Sequence, residues 1–147
     1  MELRSPLVQA GVGYWNSKRG VHRLPARTDF DPLIEVPSLA PHMMLKDVQR
    51  EPLDFRYRLI GTAIRHHLSR DYTGRWMRTI SGQGPGNPLW AYHERAVETR
   101  APVFLRPAYL GPHKEFLRVE SVLLPLAADN ERVDMLMVVV DFLREPR

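Results

Sequence analysis

The chain has no cysteine, which excludes a disulfide framework, a thiolate nucleophile and any zinc or iron–sulfur centre held by thiolates. A reducing cytoplasm is the setting expected from this. Long apolar runs are also missing. The longest, Met135 to Val140, falls far short of the ~20 residues that cross a bilayer, and Met1-Glu2-Leu3-Arg4-Ser5-Pro6 lacks the apolar centre of a signal peptide. A chain that is neither membrane-spanning nor exported is expected. Lysine is scarce, with only Lys18, Lys46 and Lys114, so the formal charge of +4 is carried almost entirely by arginine. These arginines are scattered among acids and read as a solvated surface with a basic bias. A nucleic-acid footprint would need them clustered on one face.

What is present fits one domain. A chain of 147 residues is long enough to bury a core without metals or disulfides, since domains near this size bury roughly two-thirds of their unfolded surface. The clearest local pattern is Asp54-Phe55-Arg56-Tyr57-Arg58-Leu59-Ile60-Gly61-Thr62. There Phe55, Tyr57 and Leu59 alternate with Arg56 and Arg58, the signature of an antiparallel strand with one wet face. At Thr62, read as a helix N-cap, the period changes. Ala63, Ile64, His67 and Leu68 then recur at helical spacing until Asp71-Tyr72-Thr73-Gly74.

Around this centre the other elements follow. An amphipathic helix is expected over about 7–19, with Val8, Val12 and Trp15 on one face and Gly20 ending it. Asp31-Pro32 and Asn87-Pro88 each combine a cap with proline at the first helical position. They predict a short helix stopped near Pro37 and a longer one over about 89–100 with Leu89, His93, Ala96 and Val97 facing inward. A strand over 42–48 should form a hairpin with the strand at 54–61. Three more strands are expected over about 103–110, 115–126 and 133–142, with Asp129-Asn130 turning between the last two. In the middle one, Leu117, Val119, Ser121 and Leu123 point one way while Arg118 and Glu120 point the other.

Sequential strands usually pair, so these elements assemble into an α+β fold: a five-stranded antiparallel sheet with helices on one face and an N-terminal helix. Two strands, helices, then three strands is the order of a PAS domain. The chain also resembles a family of small bacterial PAS-like proteins first catalogued as a domain of unknown function. The resemblance runs through Trp15 with Lys18-Arg19-Gly20, Leu24-Pro25-Ala26-Arg27 with Asp29-Phe30-Asp31-Pro32, Pro41-His42, the strand at Asp54 to Thr62, Arg70-Asp71-Tyr72-Thr73-Gly74-Arg75, and Leu123-Leu124-Pro125-Leu126. It implies a PAS-like domain over 31–147, preceded by an N-terminal helix and linker over 1–30, as a single globular unit. It also implies a cytoplasmic protein with a sensory or regulatory role, and it brings no catalytic residues. Because the chain ends at Arg147 with no output segment, the output is expected to run through self-association or a separate signalling partner.

Several residues invite chemistry. The expected ligand site is a hollow between the helices and the inner strand residues Phe55, Tyr57, Leu59, Leu117, Val119 and Leu123, with Ser121 as a polar contact and His93 and Val97 from the helix. Its counterpart is a core in which the same side chains leave no space. His93 is also the candidate ligand for haem or another cofactor, weighed against a satisfied core histidine. His66 and His67 diverge by about 100° on a helix and cannot share one ion; His67 is expected partly buried and His66 exposed. Gly82-Gln83-Gly84-Pro85-Gly86 lacks the Lys and Ser/Thr of a nucleotide loop and is read as a mobile cover over the hollow. A small enzyme on a cone-shaped scaffold is the alternative class, but the strand acids Asp47, Glu120, Asp134 and Asp141 mostly alternate outward. The stripe Val8, Val12 and Trp15 packs either on its own sheet or across the two-fold axis of a homodimer, and the dimer is the favoured expectation.

Overall fold

Alternation of charged and aromatic residues at Asp54 to Tyr57 makes one strand of the first hairpin, and everything else is built outward from it. In the computed structural model, which describes residues 5–113 and 116–144 and the side chains of all of these except 116 and 117, β1 (Met43–Gln49) pairs antiparallel with β2 (Asp54–Ile60). The remaining strands are β3 (Val103–Leu105), β4 (Phe116–Leu126) and β5 (Met135–Arg144). The sheet order is β2-β1-β5-β4-β3, with every neighbouring pair antiparallel. The last strand therefore inserts beside the first, and the sheet has both termini of the core at its centre.

The helices are α1 (Pro6–Arg19), α2 (Pro32–Glu35), α3 (Thr62–His66) and α4 (Pro88–Thr99). Asp31 and Asn87 occupy the N-cap positions, each followed by proline at the start of the helix, and Gly20 ends α1 at a φ of 58°. The expected cap at Thr62 moves one residue back: Gly61 is the N-cap and Thr62 the first helical residue. Gly61 is also where the chain is tightest. A Cβ there would stand 2.3 Å from the Pro41 carbonyl oxygen and 2.6 Å from that of Met43, and its own N–H donates to Met43 O at 2.8 Å.

Helix α1 lies on the outer face of its own sheet. Gly11 sits against Val139, the Trp15 indole Nε1 donates to the Pro125 carbonyl at 2.9 Å, and Val8 and Trp15 are buried. Of the two uses foreseen for that stripe, this is the intramolecular one, and Val12 is only half-buried. The strands beneath explain it. Val122, Leu124 and Val139 face α1, while Leu123, Val138 and Val140 face the other helices, so β4 and β5 are apolar on both sides. Val8, Trp15, Leu24 and Phe30 join the same hydrophobic cluster as the sheet, which ties the segment before residue 31 into one core.

Two strand readings change. The third strand, expected to reach Leu110, stops at Leu105, and Pro107, which has no N–H to offer a ladder, follows two residues later. In β2 the register with β1 slips between Leu45 and Lys46: Leu45 faces Leu59 but Lys46 faces Tyr57, leaving Arg58 as an extra residue. Such a bulge reverses the alternation beyond it. Leu59 is consequently turned to the outer side and half exposed at 50%.

Candidate functional site

The inner face of the sheet, α3, α4 and the segment after β3 line a partly open cavity of about 220 Å³. Its apolar walls include Met44, Leu105, Leu123, Val138 and Val140, and its polar groups are Lys46, Tyr57, Ser69, Tyr72, Gln83, His93 and Ser121, with His67 and Tyr109 at one end. Lys46 is the most unusual of these. It projects from the middle of β1, is 1% exposed, and no carboxylate among the described residues pairs with it.

Why lysine 46 points inward follows from the pleat: Met44 and Lys46 share one side of β1 while Met43 and Leu45 take the other. Its Nζ lies 2.7 Å from His93 Nε2, 3.8 Å from Met77 Sδ and 4.3 Å above the centre of the Tyr57 ring. The histidine tautomer is fixed by its other nitrogen. His93 Nδ1 lies 2.8 Å from the Leu89 carbonyl oxygen, which can only accept, so Nδ1 carries the hydrogen and Nε2 accepts from Lys46.

Burial acts on both groups. It brings the Lys46 amine down to about 7, because a cation leaving water for apolar surroundings loses its hydration. His93 is held well below its ordinary value, first by burial and then by the neighbouring Lys46. Tyr57 is raised, chiefly by burial, and its hydroxyl donates to Gln83 Oε1 at 2.6 Å. Thus the Gly82–Gly86 stretch does lie against the cavity, and it does so through Gln83.

Of the residues expected to form the site, Tyr57, His93, Val119, Ser121 and Leu123 line this cavity. Phe55 is fully buried one layer back, edge-on to His93 at 5.2 Å and to Trp90 at 5.1 Å. Val97 packs on the core at the side of α4 and does not line the cavity; Trp90, His93 and Ala96 form that helix's buried face. The side chain of Leu117 lies outside the described residues. Leu59 is removed from the site by the bulge at Arg58 and lines a different hollow.

That second hollow, about 350 Å³, opens on the outer side between α2 and β2, with walls from Phe30, Pro41, Met43, Leu45, Leu59 and Met137. It is the larger of the two, but its ionisable lining residues, Arg27 and Asp31, are exposed. Nothing there matches the buried amine of the inner cavity, which we take as the candidate site. The acids are elsewhere. Asp47 pairs with Arg56 at 2.8 Å, Asp134 accepts from the Ala128 N–H, and Glu120 is buried beneath α1, where it accepts from the Ser5 N–H at 2.8 Å. His66 is exposed and His67 half-buried, with the His67 ring stacked on Phe142. Among the described residues no group of His, Asp or Glu is placed to hold a metal ion.

A five-stranded antiparallel sheet in the order β2-β1-β5-β4-β3, with an inner cavity roofed by helices inserted between β2 and β3, defines a PAS-type fold. The family model for the PAS domain matches residues 3–140. The chain belongs to that family. No curated protein matches it, and among the described residues no helix is long and apolar enough to cross a membrane.

Proposed function

We propose that this chain is a sensory or regulatory PAS module that holds a small molecule in the inner cavity and performs no catalysis itself. The observation that carries the reading is the cavity of about 220 Å³ whose apolar walls surround a few convergent polar groups, the usual form of a small-molecule site. The absence of catalysis is supported by two features. None of the described lining residues is a carboxylate, and both ring nitrogens of His93 are engaged, one with Leu89 and one with Lys46. The same engagement disfavours His93 as an iron ligand, and a cavity of about 220 Å³ lies below the roughly 300–1,000 Å³ of pockets that hold drug-sized ligands, too small for a macrocycle.

A methyl-labelled sample titrated with a library of small fragments tests this. Shifts at Leu105, Leu123 and Val138 are expected, whereas shifts confined to Met43, Leu45 and Leu59 would move the ligand to the outer hollow and defeat the reading. A second role, contact with another protein, is favoured by Leu33 and Ile34, each 78% exposed on α2 beside that outer hollow.

A further inference from the structure

The Lys46 ammonium has three hydrogens to give. One goes to His93 Nε2 at 2.7 Å, and among the described residues the other two meet only Met77 Sδ at 3.8 Å and the face of Tyr57 at 4.3 Å. A thioether is a weak acceptor, and an aromatic face offsets only part of the hydration that a buried cation loses. Among the described residues the groups that face Nζ are therefore uncharged or basic: His93 from α4, Tyr57 from β2 with Tyr72 stacked behind it, and Met77 from the helical turn Met77–Thr79 between α3 and α4, while β5 contributes only Val138, Val140 and Phe142 to the lining. Across the cavity Ser121 of β4 is the polar group, and the other titratable lining residues, His67 and Tyr109, bond to each other at 2.9 Å.

We infer that the ligand of this cavity is a small apolar carboxylic acid, bound as its anion with both oxygens on the two hydrogens of Lys46 left over from His93. The inference rests on the cavity being the ligand site and adds the chemical class. Three observations select it. One cation matches one negative charge, which disfavours a phosphate, whose several oxygens would need more donors than this wall supplies. The walls are aliphatic and aromatic, which fits a hydrocarbon or phenyl body. The volume corresponds to about seven waters at the bulk share of each, which limits the body to the size of hexanoate or benzoate.

Binding should be linked to protonation. In the free protein Lys46 titrates near 7, and a carboxylate in contact with it favours the charged form. Affinity is then close to its plateau at pH 6, where both partners are mostly charged, and about half of that at pH 7. Above pH 7 it falls about tenfold per unit, as each complex must take up a proton.

The test is titration calorimetry of the whole chain with hexanoate, benzoate and their isosteric amides, at pH 6 and pH 8 and in two buffers of different ionisation enthalpy. Hexanoate and benzoate arms distinguish an aliphatic from an aromatic body. The expected result is that an acid binds at least about tenfold more tightly than its amide at pH 6, the range of a hydrogen bond to a charged group. Proton uptake approaching one per complex should appear at pH 8, and Lys46→Met should reverse the acid-over-amide preference while keeping amide binding. Equal or tighter binding of the amides by the native chain would overturn the carboxylate assignment and leave the cavity reading standing. Binding of neither acid nor amide would overturn both. Lys46→Arg, which keeps the charge in a larger head group, separates loss of charge from loss of shape: retained acid preference supports the inference, and acid preference that persists in Lys46→Met overturns it.

Discussion

Lys46 and Tyr57 are cross-strand partners in the first hairpin, and the amine of one stands 4.3 Å over the ring of the other inside the protein. A cation is thus kept in the interior with a π face and a histidine as its principal company. Removing one half of a buried ion pair usually costs several kcal/mol, but here there is no ion pair to break.

Lys46→Met should therefore stabilise the fold. The amine is lowered from 10.5 to about 7 by burial alone, so between pH 7 and about 10 the unfolded chain binds a proton that the folded chain does not. Stability consequently rises with pH across that window and is lowest below it, by on the order of a few kcal/mol. Methionine removes the part of the slope above pH 7. Urea denaturation at pH 6, 7.5 and 9 checks this: the native chain should gain stability along the whole series, whereas Lys46→Met should lie above it at pH 6, keep only the small rise from pH 6 to 7.5 that buried His93 contributes, and stay flat from 7.5 to 9. A native profile without a rise would show that the amine is not perturbed. The raised tyrosines, Tyr57 and Tyr14 (the latter up to about 12), act in the opposite sense only near and above pH 10.

Gly61→Ala should be among the most damaging single changes in the chain. Its added methyl would stand 2.3 Å from one carbonyl oxygen and 2.6 Å from another, both backbone atoms that no rotamer change can move. Gly13→Ala is the contrast, since nothing lies within 4 Å of a Cβ in that helical position. We expect Gly13→Ala to gain about 0.5–1 kcal/mol and Gly61→Ala to lose several times as much. Thermal unfolding of the two variants side by side decides it, and equal midpoints would refute the close approach.

How far the sequence carried the reading differs between fold and site. Strand number, the hairpin, the capping pairs Asp31-Pro32 and Asn87-Pro88 and the inward turn of Tyr57, His93 and Ser121 were all visible, because each depends on neighbours close in the chain. Leu59 was misplaced because a bulge is set by how two strands pair, and Arg58 carries no local mark of being the extra residue. Lys46 was passed over for a different reason. A lysine flanked by Leu45 and Asp47 looks like a solvent residue until Met44 and Val48 are counted with it at the period of two. Pairing it with Tyr57 across the hairpin would then have placed an amine in the core. Glu120, expected to alternate outward, does so, but the outer face is roofed by α1, and only the run Met135 to Val140 hinted that this sheet is apolar on both sides.

The attachment of α1 to α2 gives an acid-side prediction. Tyr14 donates to Glu35 Oε1 at 2.6 Å, the Asp31 N–H donates to the same oxygen at 2.9 Å, and Lys18 pairs with Oε2. Lys18, then Tyr14, hold the Glu35 carboxyl down to about 2 from 4.5. Its stabilising contribution is accordingly complete above pH 4.5 and lost as pH falls toward 2. Carbon-detected titration of the side-chain carboxyl should give a midpoint well below the ordinary glutamate range, and Lys18→Met should move it upward. A midpoint near 4.5 in the native chain would mean that the three donors do not converge in solution.

Tyr57→Phe isolates the one hydroxyl that joins the inner cavity to the Gly82–Gly86 stretch. The ring keeps its place over the Lys46 amine and against Tyr72, stacked at 5.7 Å, so the packing of the cavity wall is preserved. What disappears is the 2.6 Å bond to Gln83 Oε1, whose net worth is about 0.5–1.5 kcal/mol. Because burial raises the phenol's pKa, that bond persists through neutral and mildly alkaline conditions, and its loss is not confounded by titration. The segment's own backbone bonds, Gln83 N–H to Ile80 O and Asn87 N–H to Gly84 O, then depend on local turn geometry alone. Their amide hydrogens should exchange roughly two- to tenfold faster in the variant, while those in the β4–β5 ladder follow only the small change in global stability. Unchanged protection at Gln83 and Asn87 would mean that the turn holds itself, and that the tyrosine hydroxyl governs the cavity wall without governing the segment that covers it.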